Sequence, residues 1–337
     1  MKGDVYHFVS WMEPRLAQMY RVLKPTGTLF VHLDWHAAHY MKVALDKIFG
    51  YDHLINEIIW YYRTGGVSKH YFARKHDNIL WYAKGDRWTF NPQKEKSYMM
   101  HKYGFKKSNF QVDQRGQYSM VYLREVWDIP SVGSATSERL GYPTQTPERL
   151  LQRIINSASN PEDIVADFFC GCGTTLAQAQ VLGRRWIGCD VSPTALRLVK
   201  ERLVNKCGAT NIVEIDVPKS MDDLKAMKHF EFQNYIIDFI QGVHSSRLVG
   251  DAGIDGYTTF KRYPVQVKQQ EHVGRPEIQK FESAVKAEKK DKGYFFAFSF
   301  TKPAHEEVAR CKLQDGIEIE LCNVQDLMVA DPPPTFL

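Results

Sequence analysis

Asp163-Ile164-Val165-Ala166-Asp167-Phe168-Phe169-Cys170-Gly171-Cys172-Gly173-Thr174-Thr175 puts an apolar strand, an acid, a glycine-rich turn and a helix start in one short run. Glycine lets the backbone turn sharply and lets a ligand approach closely. The first N–H groups of the helix opened by Thr174 and Thr175 suit a carboxylate or phosphate. Arg185-Trp186-Ile187-Gly188-Cys189-Asp190 reads as the next strand. Asp190 ends it about 20 residues on, where an acid accepts hydrogen bonds from ribose hydroxyls. Strand, turn, helix and strand make one βαβ unit of an open α/β sheet. On the turn alone, a tight bend in any α/β protein is an equal reading. A dinucleotide is disfavoured, because Leu176 stands where G-x-G-x-x-G needs its last glycine.

Working outward, residues 8–24 have helical apolar spacing and Lys24-Pro25-Thr26-Gly27 is a turn. Thr28–Leu33 reads as a buried strand, residues 37–48 as a helix closed by Gly50, and residues 57–62 and 78–82 as strands. Residues 86–140 are rich in Lys, Tyr, Gln and Ser with weak periodicity, as in a peripheral insertion. A helix is expected over 147–158, and another after Ser192-Pro193 with Ser192 as cap. Residues 215–228 are polar and read as a linker. A second α/β unit follows, with helices at 232–240, 276–289 and 304–312 and strands near Tyr257, at 265–267, 294–298 and 317–321.

The 337 residues are 44% hydrophobic and 25% charged, enough apolar material for a core in one large domain or two ordinary ones. No run of about 18 apolar residues is present and the first residues have no apolar leader, so a cytoplasmic protein without membrane contact is expected. The six cysteines (170, 172, 189, 207, 311, 322) match neither a disulfide framework nor paired zinc knuckles and read as reduced thiols. A net charge of +5 permits a nucleic-acid partner without requiring one.

Tyr142-Pro143-Thr144-Gln145-Thr146-Pro147, Leu150-Leu151, the Asp163–Thr175 run and Gly183-Arg184-Arg185-Trp186-Ile187-Gly188-Cys189-Asp190 together resemble the beta-class DNA amino-methyltransferases. His32-Leu33-Asp34-Trp35-His36, Asn56–Trp60, His76–Leu80 and Val126–Ile129 agree, so the resemblance covers roughly residues 5–210. It implies a Rossmann-like sheet that binds S-adenosylmethionine and transfers its methyl group to an exocyclic amine of a base in double-stranded DNA, adenine N6 being a broader class than cytosine N4. It implies that Asp167, Phe169, Gly171, Gly173 and Thr174 surround the methionine part and that Asp190 takes the ribose. Thr144 and Gln145 would lie near the cofactor, and Asp34 would close the same pocket. The sequence departs from the family at Cys172, usually Ser, and at Thr146, often Lys.

An exocyclic amine is a poor nucleophile because its lone pair is conjugated into the ring. The family answers with Asp-Pro-Pro-aromatic, whose acceptors take the amine hydrogens while the ring stacks on the flipped base. By the family's order that motif precedes Trp11, and residues 1–10 lack it. Asp331-Pro332-Pro333-Pro334 lacks the aromatic and reads as a decoy. The strand carrying the motif would lie between the strands of Leu33 and Asp167, so its loss is expected to leave both with unpaired backbone groups. The expectation is a truncated or mis-started polypeptide, or one half of a split enzyme completed by an upstream polypeptide. Residues 62–130 take the place of the target-recognition region. Arg63, Lys69, Arg74, Lys75, Lys102, Lys106 and Lys107, with Tyr98, Tyr103 and Phe105, have the chemistry to meet phosphates and stack on bases. For most of them a solvated basic loop is the plainer reading. His70 and His76 have no partner at metal-ligand spacing.

In the second unit, Gly250–Gly256 precedes Pro264-Val265-Gln266-Val267-Lys268. Strand alternation puts Gln266 and Lys268 on one face and both valines on the other. An acid on a neighbouring strand would share a divalent metal with Gln266, leaving Lys268 to position or activate a water, and oxygen ligands suit Mg2+. Alternating Val and polar residues are also the ordinary pattern of a half-buried strand. Phe230-Glu231-Phe232-Gln233, Gly253–Gly256, Val265–Lys268, Tyr294–Thr301 and Ala304 resemble Mrr-like restriction endonucleases of the PD-(D/E)xK superfamily, with Gln replacing the usual acid. That resemblance implies Asp255 as metal ligand, Gln266 for metal or geometry, Lys268 for catalysis and help from Glu231. The expected division is a methyltransferase domain over 1–214, a linker over 215–228, a smaller nuclease-like domain over 229–328 and a tail over 329–337. The expected activity is site-specific DNA methylation beside a nuclease. The alternatives are a catalytically incomplete DNA- and cofactor-binding protein that keeps both folds, or a nuclease whose methyltransferase part only recognises DNA.

Overall fold

The computed structural model describes residues 4–63, 67–98, 110–133, 136, 138–140, 145–245 and 253–329. Contacts divide the chain into one unit of residues 1–167 with 174–187, and a second of residues 168–173 with 188–337.

The first unit opens with α1 (Val5–Val22), whose first turn is closed by Asp4 accepting from the Tyr6 N–H at 3.0 Å. β1 (Thr28–Leu33) and α2 (Ala38–Phe49) follow. Then come β2 (Leu54–Tyr61), β3 (His76–Ala83), β4 (Lys94–Ser97), β5 (Gln111–Asp113), β6 (Gly116–Tyr122) and β7 (Val126–Asp128). One sheet has the order β1-β3-β2-β7, antiparallel except where β7 runs parallel to β2. β3 is its most enclosed strand, and strand alternation splits its side chains between two cores. Leu80 and Tyr82 pack with Met12 and Leu16 of α1 and Met41 and Leu45 of α2. Ile79 and Trp81 pack with Ile58, Trp60 and Trp127 on the other side. The region of weak periodicity contains a second sheet, ordered β4-β6-β5. β4 and β5 are short, and the seven residues of β6 bury only Tyr118 and Ser119, which is why no long apolar alternation marks them.

α3 (Glu148–Ala158) adds Leu150 to the second core. β8 (Ile164–Asp167), α4 (Thr174–Val181) and β9 (Arg185–Gly188) follow in the expected order, and β8 and β9 pair as a two-stranded sheet. β1 and β8 belong to separate sheets.

The second unit contains α5 (Pro193–Cys207), α6 (Met221–Ala226), α7 (His229–Phe239), β10 (Val243–His244), β11 (Gly256–Tyr257) and β12 (Pro264–Val267). It continues with α8 (Arg275–Ala287), β13 (Lys292–Ala297), α9 (Lys302–Arg310), β14 (Glu318–Asn323) and α10 (Val324–Val329). Its sheet has the order β10-β11-β12-β13-β14, antiparallel up to β12 and parallel from β12 to β14. Val265, Val267, Tyr294 and Phe296 pack on one face with Phe232 and Ile236 of α7. Phe295 and Ala297 pack on the other with Ile278, Phe281 and Val285 of α8. β12 is therefore buried on both faces rather than half-exposed, and Gln266 is only 5% exposed. Within the polar 215–228 segment, Met221–Ala226 is helical, closed by a capping box between Ser220 and Asp223. Its Leu224 is fully buried in the core of α7 and β12. Met221 and Met227 pack partly buried against the same core, and three apolar side chains at this spacing are too few for a periodic signal. Among the described residues no helix is long and apolar enough to cross a membrane.

Candidate functional site

β8 delivers Asp167 to the mouth of the turn, and residues 168–173 then wrap tightly. Gly171 and Gly173 have φ of 50° and 73°, the left-handed region that glycine enters without a Cβ clash. At Gly173 space is limiting as well, since a Cβ would lie 2.7 Å from Val199 Cγ2 of α5. The Gly173 N–H donates to the Cys170 carbonyl at 2.7 Å, and the Cys170 N–H to the Cys189 carbonyl at 3.0 Å. Cys170 and Cys172 are buried while Phe169, just before them, is half-exposed. All six cysteines are free thiols.

Asp190 organises the turn. Its Oδ2 accepts the Gly171 N–H at 2.8 Å and its Oδ1 accepts the Ser192 N–H at 2.9 Å. A carboxylate offers about four lone-pair sites, so acceptor capacity remains on both oxygens for two vicinal hydroxyls. Ser192 caps α5 by accepting from the Ala195 N–H at 3.3 Å, and Thr194 Oγ1 donates to the Phe239 carbonyl at 2.8 Å, tying α5 to α7. Burial pushes the Asp238 carboxyl above the usual range; the His244 ring, 2.7 Å away, opposes the shift and the charge of Asp190 adds to it.

Two residues of this support were not singled out from the sequence. Val199 fills the space beneath Gly173, and the buried Arg202 donates to the Cys172 carbonyl at 3.3 Å. Both lie on the buried face of α5 with Ala195 and Leu203. An arginine within such an apolar row was the available signal.

The other cofactor candidates differ in what occupies them. Asp34, at the end of β1, is half-exposed and holds the His36 N–H and ring at 3.0 and 2.8 Å. Gln145 is engaged by its own loop: its Oε1 accepts the Leu140 N–H at 2.9 Å and its Nε2 donates to the Glu138 carbonyl at 2.7 Å. Thr174 is buried at the start of α4. Thr144 lies outside the described residues, as do Lys102, Tyr103, Phe105, Lys106, Lys107 and Asp331–Pro334.

Several target-recognition candidates have structural partners. Arg63 forks onto Asp128 at 3.2 and 2.5 Å, and Tyr98 donates to Asp113 at 2.8 Å. The Arg74 guanidinium lies 3.8 Å from the Trp35 ring centre and 5.1 Å from that of Tyr71. Phe72 is fully exposed in the same loop.

In the second unit Asp255 and Gln266 come together at β12, and Lys268 follows at the strand's end. Asp255 Oδ2 accepts the Val267 N–H at 2.7 Å and Gln266 Nε2 at 3.2 Å, and the Asp255 N–H donates to the Val265 carbonyl at 2.9 Å. Gln266 Oε1 sits against Gly253, where a Cβ would lie 2.5 Å away. Lys268 leaves the end of β12, its N–H donating to the Phe296 carbonyl at 2.8 Å. Glu231 is engaged in capping α7 through the Lys228 N–H at 3.3 Å. The Gln266 amide nitrogen faces Asp255 while its oxygen faces Gly253, so Asp255 is the hard-cation ligand of the pair and Gln266 joins it only with the amide turned over. Elsewhere in this unit, Glu282, Glu307 and Cys311 approach one another closely enough for a metal. The Arg310 guanidinium already bonds both carboxylates, at 2.5 and 2.7 Å.

A family model for DNA methylases of the N6 and N4 type matches residues 2–201, and one for a restriction endonuclease matches residues 224–329. The chain belongs to the DNA methylase family, with a restriction-endonuclease-like region at its C-terminal side. It is 29% identical over 220 residues to the type II methyltransferase M.HpaI of Haemophilus parainfluenzae, covering 64% of each chain. It is 30% identical over 203 residues to the DNA adenine methyltransferase YhdJ of Escherichia coli K12, covering 58% of this chain and 67% of that protein. The chain thus spans about two thirds of the length of these relatives. Among solved structures, the PvuII DNA methyltransferase (cytosine-N4-specific) matches 64% of this chain and 77% of its own at 15% identity, with a TM-score of 0.45.

Proposed function

We propose that the protein methylates an exocyclic amine in duplex DNA with S-adenosylmethionine as donor, adenine N6 before cytosine N4. The observation that carries this reading is the Gly171–Asp190 bond, which fixes a left-handed glycine turn and an acid with spare acceptor capacity in one assembly. In this reading the turn 168–173, with Asp167 and Thr174 at its two ends, holds the methionine part, and Asp190 holds the ribose. Phe169 offers an apolar wall and Gln145 shapes its own loop rather than touching the ligand, while Thr144 and Asp34 keep only the cofactor role that the family resemblance implies. The donor, when bound, supplies an electrophilic methyl group, and the chain's own residues orient it and exclude water.

For the C-terminal side we propose phosphodiester cleavage, over a domain of about residues 229–328 following a methyltransferase domain of 1–214. Asp255 and Gln266 would hold Mg2+, which supplies charge for a developing phosphorane and a more acidic water. Lys268 positions that water or the phosphate. Cytoplasmic DNA is the common substrate.

The test is transfer of labelled methyl from S-adenosylmethionine to duplex DNA by the full protein, followed by nucleoside analysis. Label in N6-methyladenine or N4-methylcytosine is expected, and label in C5-methylcytosine alone, or none in DNA, overturns the reading. For the nuclease, Mg2+-dependent cleavage abolished by Lys268→Ala is expected, and cleavage unchanged by it overturns the assignment.

A further inference from the structure

We infer that the second unit carries a separate binding surface for the phosphate backbone of nucleic acid, at the opposite end of its sheet from Asp255 and Lys268. The inference rests on the reading that the protein works on duplex DNA. A cradle of about 740 Å³ opens there, lined by Lys261, Tyr263, Lys286, Lys289, Lys290 and Asp315, among others. Its place follows from the strand directions. Tyr263 immediately precedes β12, Lys290 precedes β13 and Ile317 precedes β14, and these three strands are parallel. Lys268 follows β12 at the far end. Five residues at about 3.3 Å each separate Tyr263 from Lys268, roughly 16 Å. A phosphate held at the cradle is therefore a different phosphate from one held at Lys268.

The charges are arranged for an external anion. Asp315 is already bonded within the fold, to Lys286 at 3.0 Å and Arg310 at 2.6 Å. Lys261, Lys289 and Lys290 form no ion pair among the described residues. The ammonium groups of Lys261 and Lys290 lie 5.8 and 5.9 Å from the centre of the same ring, that of Tyr263. Lys290 Nζ also donates to the Lys261 carbonyl at 2.8 Å, which locks the two segments together. Three like charges are thus gathered with one aspartate, Asp291, to offset them on this rim.

The backbone tolerates strain to hold them there. α8 ends with the Lys289 N–H bonded to the Lys286 carbonyl and the Lys290 N–H to the Val285 carbonyl. That paired closure puts its pivot residue in the left-handed region, where glycine is usual. Here the pivot is Lys289, with φ of 55°. Arg262, in the loop facing it across the cradle, has φ of 56°. The lining is cationic and shallow, whereas a small-molecule pocket is concave and mostly apolar. A run of phosphates is the ligand such a surface fits.

The experiment is anisotropy of a fluorescent DNA duplex with the full protein across a salt series, comparing wild type with Lys261→Gln/Lys289→Gln/Lys290→Gln. Each phosphate contact contributes about 0.9 to the slope of log K against log salt, so the triple variant is expected to lower that slope by about 2 to 3. A control triple of equal charge loss, Lys228→Gln/Lys302→Gln/Lys312→Gln, is expected to change it by less than 1. Equal slopes for wild type and the cradle variant, or an equal drop in the control, overturn the proposal. Displacement of a fluorescent nucleotide from the cradle without any change in duplex binding also overturns it, in favour of a small-ligand site. Absence of duplex binding by the wild type contradicts the methyltransferase reading as well, whereas an unchanged slope with tight duplex binding leaves that reading standing.

Discussion

Gly173 concentrates two demands at one residue, a left-handed φ of 73° and a Cβ position already filled by Val199. Gly173→Ala is expected to weaken S-adenosylmethionine binding at least tenfold and to lower stability by roughly 1–3 kcal/mol, within the range for strain at a special φ combined with overpacking. Adding Val199→Ala relieves the overlap and leaves the φ penalty, so the double variant should recover part of the loss in a thermal melt. A double variant no better than Gly173→Ala would show that packing against α5 is not what confines the turn. Both glycines and Asp190 were legible in the sequence, because conformational freedom and a strand-ending acid leave a local signature. Val199 and Arg202 were not, because they act from another helix and their spacing is that of an ordinary buried face. Gln145 shows the converse: its motif was legible, but the amide's engagement with Leu140 and Glu138 depends on a loop path that spacing does not specify.

At the scale of elements, the long periodic pieces were legible. α1, β1, α2 and α3 fall where apolar spacing and turn residues placed them, since amphipathic burial writes a period into the chain. β4 and β5 were missed because they are short, β6 because it buries only Tyr118 and Ser119, and α6 because its six residues offer little beyond Leu224 and the partly buried Met221. That makes α6 a sensitive test of attachment. Leu224→Ala removes a fully buried side chain and is expected to destabilise the second unit by about 2–5 kcal/mol, seen as a lowered midpoint in urea. A shift below about 0.5 kcal/mol would mean the segment is a loose connection after all. Ser192→Ala tests the join between the turn and α5. Loss of that cap should cost about 1 kcal/mol, and the same variant should leave Asp190 still accepting from the residue 192 N–H.

At the scale of the whole molecule, acid sensitivity should come partly from the ion-pair cluster around Arg310. The Lys286 ammonium first, and the Arg310 guanidinium next, hold the Asp315 carboxyl down to about 2. A depressed acid stabilises the fold above its unfolded pKa and loses that contribution as pH falls through its folded pKa. The contribution should therefore be complete above about pH 4 and disappear towards pH 2. Asp315→Asn should flatten unfolding free energy against pH in that window, and a profile as steep as wild type would rule the cluster out. The thiols of Cys311 and Cys322, which burial pushes up to about 12, should stay unreactive towards alkylation in the folded protein.

The claim that joins these scales is that the Gly171–Asp190 assembly is an S-adenosylmethionine site. Calorimetric titration of the full protein with S-adenosylmethionine and with NAD+, repeated on Asp190→Asn and Asp190→Ala, tests it most directly. One S-adenosylmethionine per chain is expected for wild type and no NAD+ binding. Asp190→Ala should weaken the complex by about 10- to 100-fold, in keeping with charged hydrogen bonds of about 1.5–3 kcal/mol, with Asp190→Asn between the two. Undiminished binding in Asp190→Ala, or a preference for NAD+ over S-adenosylmethionine, would contradict the account.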